Sequence, residues 1–366
     1  MNPPMRVLHI TPWYPTPGMP ENGIFIKRHT DAIGALTEQT ILHIDLVFGR
    51  QQNESCREGK LIRISKNVKI VLWRWYEYKF YRLLKSELIK IDAANQFTHV
   101  VFHIAYPSLV YFEKLKVLLP HKKLITEHWS AYRLNFNSSK DLSRIAEIFN
   151  HGIPLTVVSK SLGESICKFS NLKLDFRVVP NVVHEDFSFK EGSPKSDYFF
   201  AAAWWKNPKK PMALIEAIAK LKAVGKSVEL RIAGDGPLCE QMHLQVTCLG
   251  IDDRVLFLGR LTSTDLAKEM NRAKAFVMPT GYETFSVACA EALVCGCPVI
   301  SNRVGAIAEL VNNSNGILLE ENESWELVLS SFDTTAFDRK KIANNFSHKF
   351  SSDKIASTFF EILNGL

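Results

Sequence analysis

The sequence predicts an α/β protein of two doubly wound domains, each a parallel sheet covered by helices on both faces. Three observations carry that prediction. The chain has 366 residues, enough for about two domains at the usual ~100–200 residues each. Short apolar runs alternate with helical-period stretches along both halves, the pattern of parallel strands joined by crossover helices. Between the halves, Asn181 to Asp197 (NVVHEDFSFKEGSPKSD) loses periodicity and gathers Gly, Pro, Ser and charge, as an interdomain linker does.

Taken in order, Arg6 to Thr11 (RVLHIT) reads as a short buried strand, followed by a Pro-rich loop with Gly23 and a helix over Ile24 to Leu36. A strand at Ile41 to Val47, a helix after Trp75, a strand at Thr98 to Ile104, a helix at Ser108 to Leu118 and a strand at Lys123 to Thr126 follow. Leu155 to Val158 gives a further strand and Ser161 to Lys168 a helix. The second alternation puts strands at Tyr198 to Ala203, Val228 to Ala233, Val255 to Leu258, Ala275 to Met278 and Pro298 to Ser301. Its helices fall at Met212 to Ala223, Leu238 to Leu249, Thr264 to Ala273 and Val287 to Cys295, and the polar end from Ser324 onward reads as helical. The domains expected are residues 1–182 and 183–350, with ligands at the carboxyl ends of the strands, in a cleft between two facing sheets.

Composition narrows the function classes. With 46% hydrophobic and 23% charged residues the chain has material for packed cores, which excludes collagenous and wholly disordered proteins. Forty-five Lys and Arg against 38 Asp and Glu leave a net charge of +7. This moderate excess fits anionic ligands or an acidic membrane surface. No run approaches the ~18–20 apolar residues of a membrane span. The N-terminal MNPPMRVLHITPWYP holds an apolar run too brief for the ~7–15-residue core of a secretory signal, so a cytoplasmic location is expected. Seven cysteines, without a CxxC pair or a zinc-like Cys/His spacing, are expected as buried free thiols.

The most informative segment is Met278 to Ser301, MPTGYETFSVACAEALVCGCPVIS. It follows a strand, carries Glu283 in a Gly-containing loop, starts a helix near Thr284 to Ser286 and ends it at Gly296. Glu291 lies two turns in, so both glutamates can border one ligand. A carboxylate accepts hydrogen bonds from adjacent sugar hydroxyls, while a helix N-terminus offers free N–H groups to phosphate. The combination suits a nucleotide sugar.

This run, with Gly305 and Glu309 after it, resembles the signature of retaining family-4-type glycosyltransferases, the glycosyl transferases group 1, which have the GT-B fold. Gly234-Asp-Gly236-Pro237, Phe257-Leu-Gly259, Val179-Pro180-Asn181, Thr126-Glu127-His128 and the Gly23 loop agree in order, so the resemblance covers nearly the whole chain. It implies two Rossmann-like domains, an N-terminal one for the acceptor and a C-terminal one for the donor, with a final helix at 351–366 crossing back to the first. It makes Glu291 the acceptor of ribose hydroxyls and Glu283 a contact to the donor sugar or phosphates, with Thr284, Phe285, Ser286 and Gly234 bordering the donor. Gly23 would let the backbone approach the diphosphate, and His128 would stand near the transferred sugar.

In the family a Gly-Arg-x-x-x-x-Lys-Gly segment supplies two cations to the leaving diphosphate. Registered on Leu214 to Ala217, this chain has Lys209 at the lysine position, Trp204 where arginine is expected and Lys210 in place of glycine. Lys206 is the candidate second cation, although a lysine cannot reproduce a bidentate guanidinium fork. No DxD pair offers carboxylates to a divalent ion, so no metal and no cofactor is expected beyond the donor substrate.

Trp73 to Lys85 (WRWYEYKFYRLLK) packs six aromatics among four cations. Two readings fit: a peripheral membrane contact, or an amphipathic helix packed on its own sheet. No nucleic-acid recognition fold accompanies these rings. The expected activity is sugar transfer, with retention, from a UDP- or GDP-sugar to a glycan or lipid-linked acceptor, in cell-surface glycan or polysaccharide synthesis. A nucleotide-sugar epimerase or hydrolase of the same fold and a non-catalytic nucleotide-sugar binder are the alternatives.

Overall fold

The computed structural model describes residues 4–48, 54–68, 73–134, 140–321 and 323–366. The chain divides into two units, Met1–Val182 with Ser352–Leu366, and Val183–Ser351.

The N-terminal unit is built on an eight-stranded sheet. Its strands are β1 (Arg6–Thr11), β2 (Glu38–Phe48), β3 (Glu54–Glu58), β4 (Leu61–Val68), β5 (His99–His103), β6 (Lys122–Glu127), β7 (Leu155–Val157) and β8 (Phe176–Val178). They lie in the order β3-β4-β2-β1-β5-β6-β7-β8. The central strands read as apolar runs because both faces are covered: Val7, Leu8, Ile10, Val100, Val101 and Phe102 are fully buried. The pairings are parallel except that β3 runs antiparallel to β4, which corrects the all-parallel expectation. These two strands escape sequence reading because β3 is a polar edge strand and the apolar residues of β4, Leu61, Ile62 and Ile64, are broken up by Arg63, Ser65 and Lys66.

A second correction concerns Ser108 to Leu118. The chain makes a kinked turn at Ala105–Ser108, where Tyr106 is non-helical, then 3₁₀ turns at Phe112–Lys114 and Lys116–Leu118. Buried Phe112, Leu115 and Leu119 have the spacing of a helix face, but 3₁₀ turns eclipse residues three apart and bury the same set without a continuous helix. The terminal helix Ser352–Asn364 belongs to this unit. Its Ile355, Phe359, Ile362 and Leu363 share one core with Val7, Ala32, Ile33, Val101 and Leu124, and Leu363 O accepts from His99 Nε2 at 3.1 Å.

The C-terminal unit holds six parallel strands: β9 (Tyr198–Trp204), β10 (Glu229–Asp235), β11 (Val255–Gly259), β12 (Ala275–Met278), β13 (Val299–Asn302) and β14 (Gly316–Leu319). Their order is β11-β10-β9-β12-β13-β14. In both sheets the winding reverses once, between β1 and β5 in the first and between β9 and β12 in the second. The loops leaving such a pair of strands diverge to opposite faces and open a crevice, the usual place for a ligand in open α/β sheets.

All seven cysteines are free, yet only Cys289, Cys295 and Cys297 are buried and Cys248 is exposed, so burial was expected too widely. Among the described residues no helix is long and apolar enough to cross a membrane.

Candidate functional site

At the reversal in the C-terminal unit, the loop after β9 runs from Trp204 to Lys210 and the loop after β12 from Pro279 to Ser286. Backbone bonds stitch them together: Lys210 N donates to Pro279 O and Gly281 N to Pro208 O, each at 2.9 Å. Lys209 therefore faces Thr280 across a short bridge, and its Nζ meets the Glu283 carboxylate. Thr280 Oγ1 bonds the same carboxylate oxygen at 3.3 Å. The two charged side chains are 17% and 13% exposed, so they are largely desolvated but open on one side. Burial, assisted by the charge of Lys206 and opposed by Cys289, pulls the Lys209 ammonium down to about 8. At neutral pH it is a charged donor in a poorly hydrated place, the situation in which one cation counts most toward an anionic ligand.

The helix Val287–Val294 starts directly after this loop. Ser286 stands at its cap with a left-handed φ of +64°, and its hydroxyl makes no capping bond. A non-glycine residue held there costs on the order of 1–3 kcal/mol, a strain that concentrates where a loop serves a ligand. Glu291 is buried in the second turn. Thr284 is half-buried. Phe285 turns into the core, edge-on to Phe350 at 5.4 Å, so any ligand contact from it comes through its backbone.

Lys206 is exposed in the turn that Lys209 N closes on Lys206 O at 2.8 Å. Gly234 has a reason of its own to be glycine. Its φ is +106°, and a Cβ there would lie 1.9 Å from Ala203 O. The Gly234-Asp235-Gly236 turn thus packs directly on the backbone leaving β9. Beside it Trp205, Gly234, Asp235, His243, Phe257 and Gly259 line a cavity of about 370 Å³. Trp204 is half-exposed, and the Arg260 guanidinium sits over its ring at 5.6 Å while pairing with Asp235 at 3.3 Å. Sequence reasoning missed Arg260. Its signal is its place one residue past Phe257-Leu-Gly259, at the same sheet edge as the loop that lacks an arginine.

Gly23 and His128 belong to the N-terminal unit. Gly23 has φ +68°, and a Cβ would lie 2.7 Å from the Trp13 carbonyl. The chain's own packing thus already demands a glycine. His128 follows β6, is buried, and its Nδ1 lies 3.2 Å from Asn181 Oδ1. Burial and the neighbouring His29 push it well below the ordinary histidine range, so the ring is neutral. Phe25 and His29 flank it with ring centroids at 4.9 and 5.1 Å.

Glu127, quoted in a motif but given no role by sequence reasoning, organises this edge. One carboxylate oxygen accepts from His128 N and Trp129 N, the other from Ala105 N and Tyr132 Oη, at 2.8–3.0 Å. It ties the loop after β5 to the loop after β6, next to Ile104, a β-branched residue at φ +67°. Burial pushes its carboxyl up, against the pull of these four donors.

Residues 183–346 match the family model described as glycosyl transferases group 1. An uncharacterized glycosyltransferase of Methanocaldococcus jannaschii is 28% identical over 262 residues, 69% of this chain and 71% of that protein. A GDP-mannose-dependent phosphatidylinositol dimannoside mannosyltransferase of Mycobacterium tuberculosis is 34% identical over 108 residues, 28% of this chain and 26% of that protein. Among solved structures, the sucrose-phosphate synthase of Thermosynechococcus elongatus superposes with a TM-score of 0.78 at 15% identity, over 99% of this chain and 98% of that one. HepE of Anabaena, in complex with UDP and glucose, gives 0.73 at 16% identity, over 99% and 100%.

Proposed function

Residues 183–346 form a glycosyl transferases group 1 domain within a GT-B fold, and from that premise we propose that the protein moves a sugar, with retention, from a nucleotide diphosphate donor to an acceptor hydroxyl. The observation that carries this reading is the Lys209–Glu283 pair at the β9/β12 reversal. Donor binding replaces Glu283 by the diphosphate as the partner of Lys209, and the freed carboxylate takes a hydroxyl of the donor sugar. Glu291 holds the ribose. As the glycosidic bond to the diphosphate breaks, charge grows on the leaving oxygen, and Lys209 meets it in a place with little water to screen it. Lys206 assists, and Arg260 adds a guanidinium at the same edge. These cations answer the leaving-group charge, so the transfer step is assigned to them and not to a metal ion.

The N-terminal unit takes the acceptor, with the neutral His128 ring hydrogen-bonding a sugar hydroxyl. HepE's bound UDP and the GDP-mannose dependence of the mycobacterial relative support a nucleotide-sugar donor and leave the base open. A cell-surface glycan or its lipid-linked precursor is the acceptor class. The helix Trp73–Lys90 supports a membrane-side location, because it buries Phe80, Tyr81, Leu84 and Leu88 yet exposes Trp75, Tyr78, Arg82, Lys85 and Ile89. A thermal-shift screen across UDP- and GDP-sugars tests the donor reading. One base should raise the melting temperature in a saturable way, and no response to any nucleotide sugar would contradict the reading.

A further inference from the structure

The carboxyl-end edge of the first sheet gathers three histidines, of which the transfer reading uses only His128. His103 ends β5, His128 follows β6, and His29 stands on the helix Ile24–Gly34, all of them buried. Among the described residues, these three each offer a ring nitrogen within 4.8 Å of the others. Each ring has one nitrogen in a hydrogen bond. His29 Nε2 lies 2.9 Å from Pro180 O, His128 Nδ1 3.2 Å from Asn181 Oδ1, and His103 Nε2 3.0 Å from His9 Nδ1. The other nitrogens, His29 Nδ1, His103 Nδ1 and His128 Nε2, have no hydrogen-bond partner among the described residues.

The two oxygens can only accept, so His29 carries its proton on Nε2 and His128 on Nδ1, which leaves lone pairs on the free nitrogens. Burial pushes all three rings below the ordinary histidine range and keeps them neutral. Buried lone pairs with no proton to share are costly to leave unmatched. A ring oriented by an oxygen acceptor on its far nitrogen is also how metal-binding histidines are held.

We propose that His29, His103 and His128 form a site for a divalent ion of the zinc class, with water or a ligand hydroxyl in the fourth position. Neutral imidazoles suit zinc, copper or nickel and not magnesium or calcium, and three histidines with one open position make a tetrahedral site. Zinc–nitrogen bonds of ~2.0–2.1 Å require the rings to draw together on the ion. Glu127, the neighbouring carboxylate, is committed to its four donors and stays outside the set.

The test reads bound metal and not transferred sugar, so it stands or falls apart from the reading above. Full-length protein without tag histidines is stripped with a chelator and dialysed against Zn²⁺, and its metal content is measured. Cobalt is substituted to read visible absorption. One ion per chain is expected, with tetrahedral cobalt bands. His103→Gln should lower zinc affinity at least tenfold. Asn181→Ala, which touches only the far nitrogen of His128, should lower it about ten- to a hundredfold, with folding of each variant checked by circular dichroism. Absence of binding, cobalt without such bands, or a folded His103→Gln that binds like wild type would overturn the site. If His103→Gln does not fold, unchanged affinity in Asn181→Ala overturns it.

Discussion

Raising the pH from 7 to 9 perturbs the proposed diphosphate contact at one atom, Nζ of Lys209. A base whose pKa is lowered loses its charge as the pH rises, and the diphosphate needs that charge. With the group at about 8, roughly 91% is charged at pH 7 and roughly 9% at pH 9. The apparent dissociation constant for UDP or GDP should therefore rise about tenfold across this window, or about 1.4 kcal/mol. Calorimetric titration in two buffers of different ionisation heat measures the change. It should also show a proton taken up on binding at pH 9, because the bound anion restores the charge on Lys209. Lys209→Arg keeps its charge throughout, so its affinity should stay flat. Wild-type affinity that is constant to pH 9, or an arginine variant that weakens in parallel, would refute the role of Lys209.

Further expectations follow from the same geometry. Glu291→Ala should weaken UDP or GDP binding by about 1.5–3 kcal/mol, since it removes a charged acceptor from a buried place, and an unchanged constant in calorimetry would remove the ribose assignment. Lys209→Ala should lower turnover more than Lys206→Ala, because Lys209 is buried in the site and Lys206 is exposed; the reverse order would show that the loop has been misregistered. Glu127→Ala should lower the unfolding free energy by about 1–3 kcal/mol or more in urea titrations, as four donors lose their acceptor. A loss below about 1 kcal/mol would mean that the two loops close without it. The triple variant Arg74→Glu, Arg82→Glu, Lys85→Glu should lose sedimentation with anionic vesicles at low salt, at about 1 kcal/mol per basic residue. Equal binding by the folded variant would exclude this face as a membrane dock.

What sequence could reveal depended on whether the signal was local. β1, β5, β9 and β12 are buried on both faces and read directly as apolar runs, and Gly23 and Gly234 were legible in the loop after β1 and at the end of β10. β3, at the edge, and β4, interrupted by Arg63, Ser65 and Lys66, carry no such run. Lys209 and Glu283 were each singled out, but their contact depends on two backbone bonds between loops 74 residues apart in sequence. Arg260 reaches Trp204 only because β11 lies two strands from β9. The histidine trio is the extreme case. His29, His103 and His128 come from a helix and two strand ends, no spacing connects them, and only the order β1-β5-β6 brings them to one edge. The basic aromatic helix held two readings because its rings are split between a buried face, with Phe80 and Tyr81, and an exposed one, with Trp75 and Tyr78.

Transfer of a sugar from a nucleotide diphosphate with retention is tested most directly by incubating the full-length protein with the ¹³C-labelled donor found by the thermal-shift screen and a lipid-linked glycan extract, following the anomeric carbon by NMR. The donor signal should give way to a new glycosidic signal of the same anomeric configuration, with one nucleoside diphosphate released per bond formed. An inverted anomeric signal, label recovered only as free sugar, an epimerised donor, or a donor that stays bound and intact would contradict it.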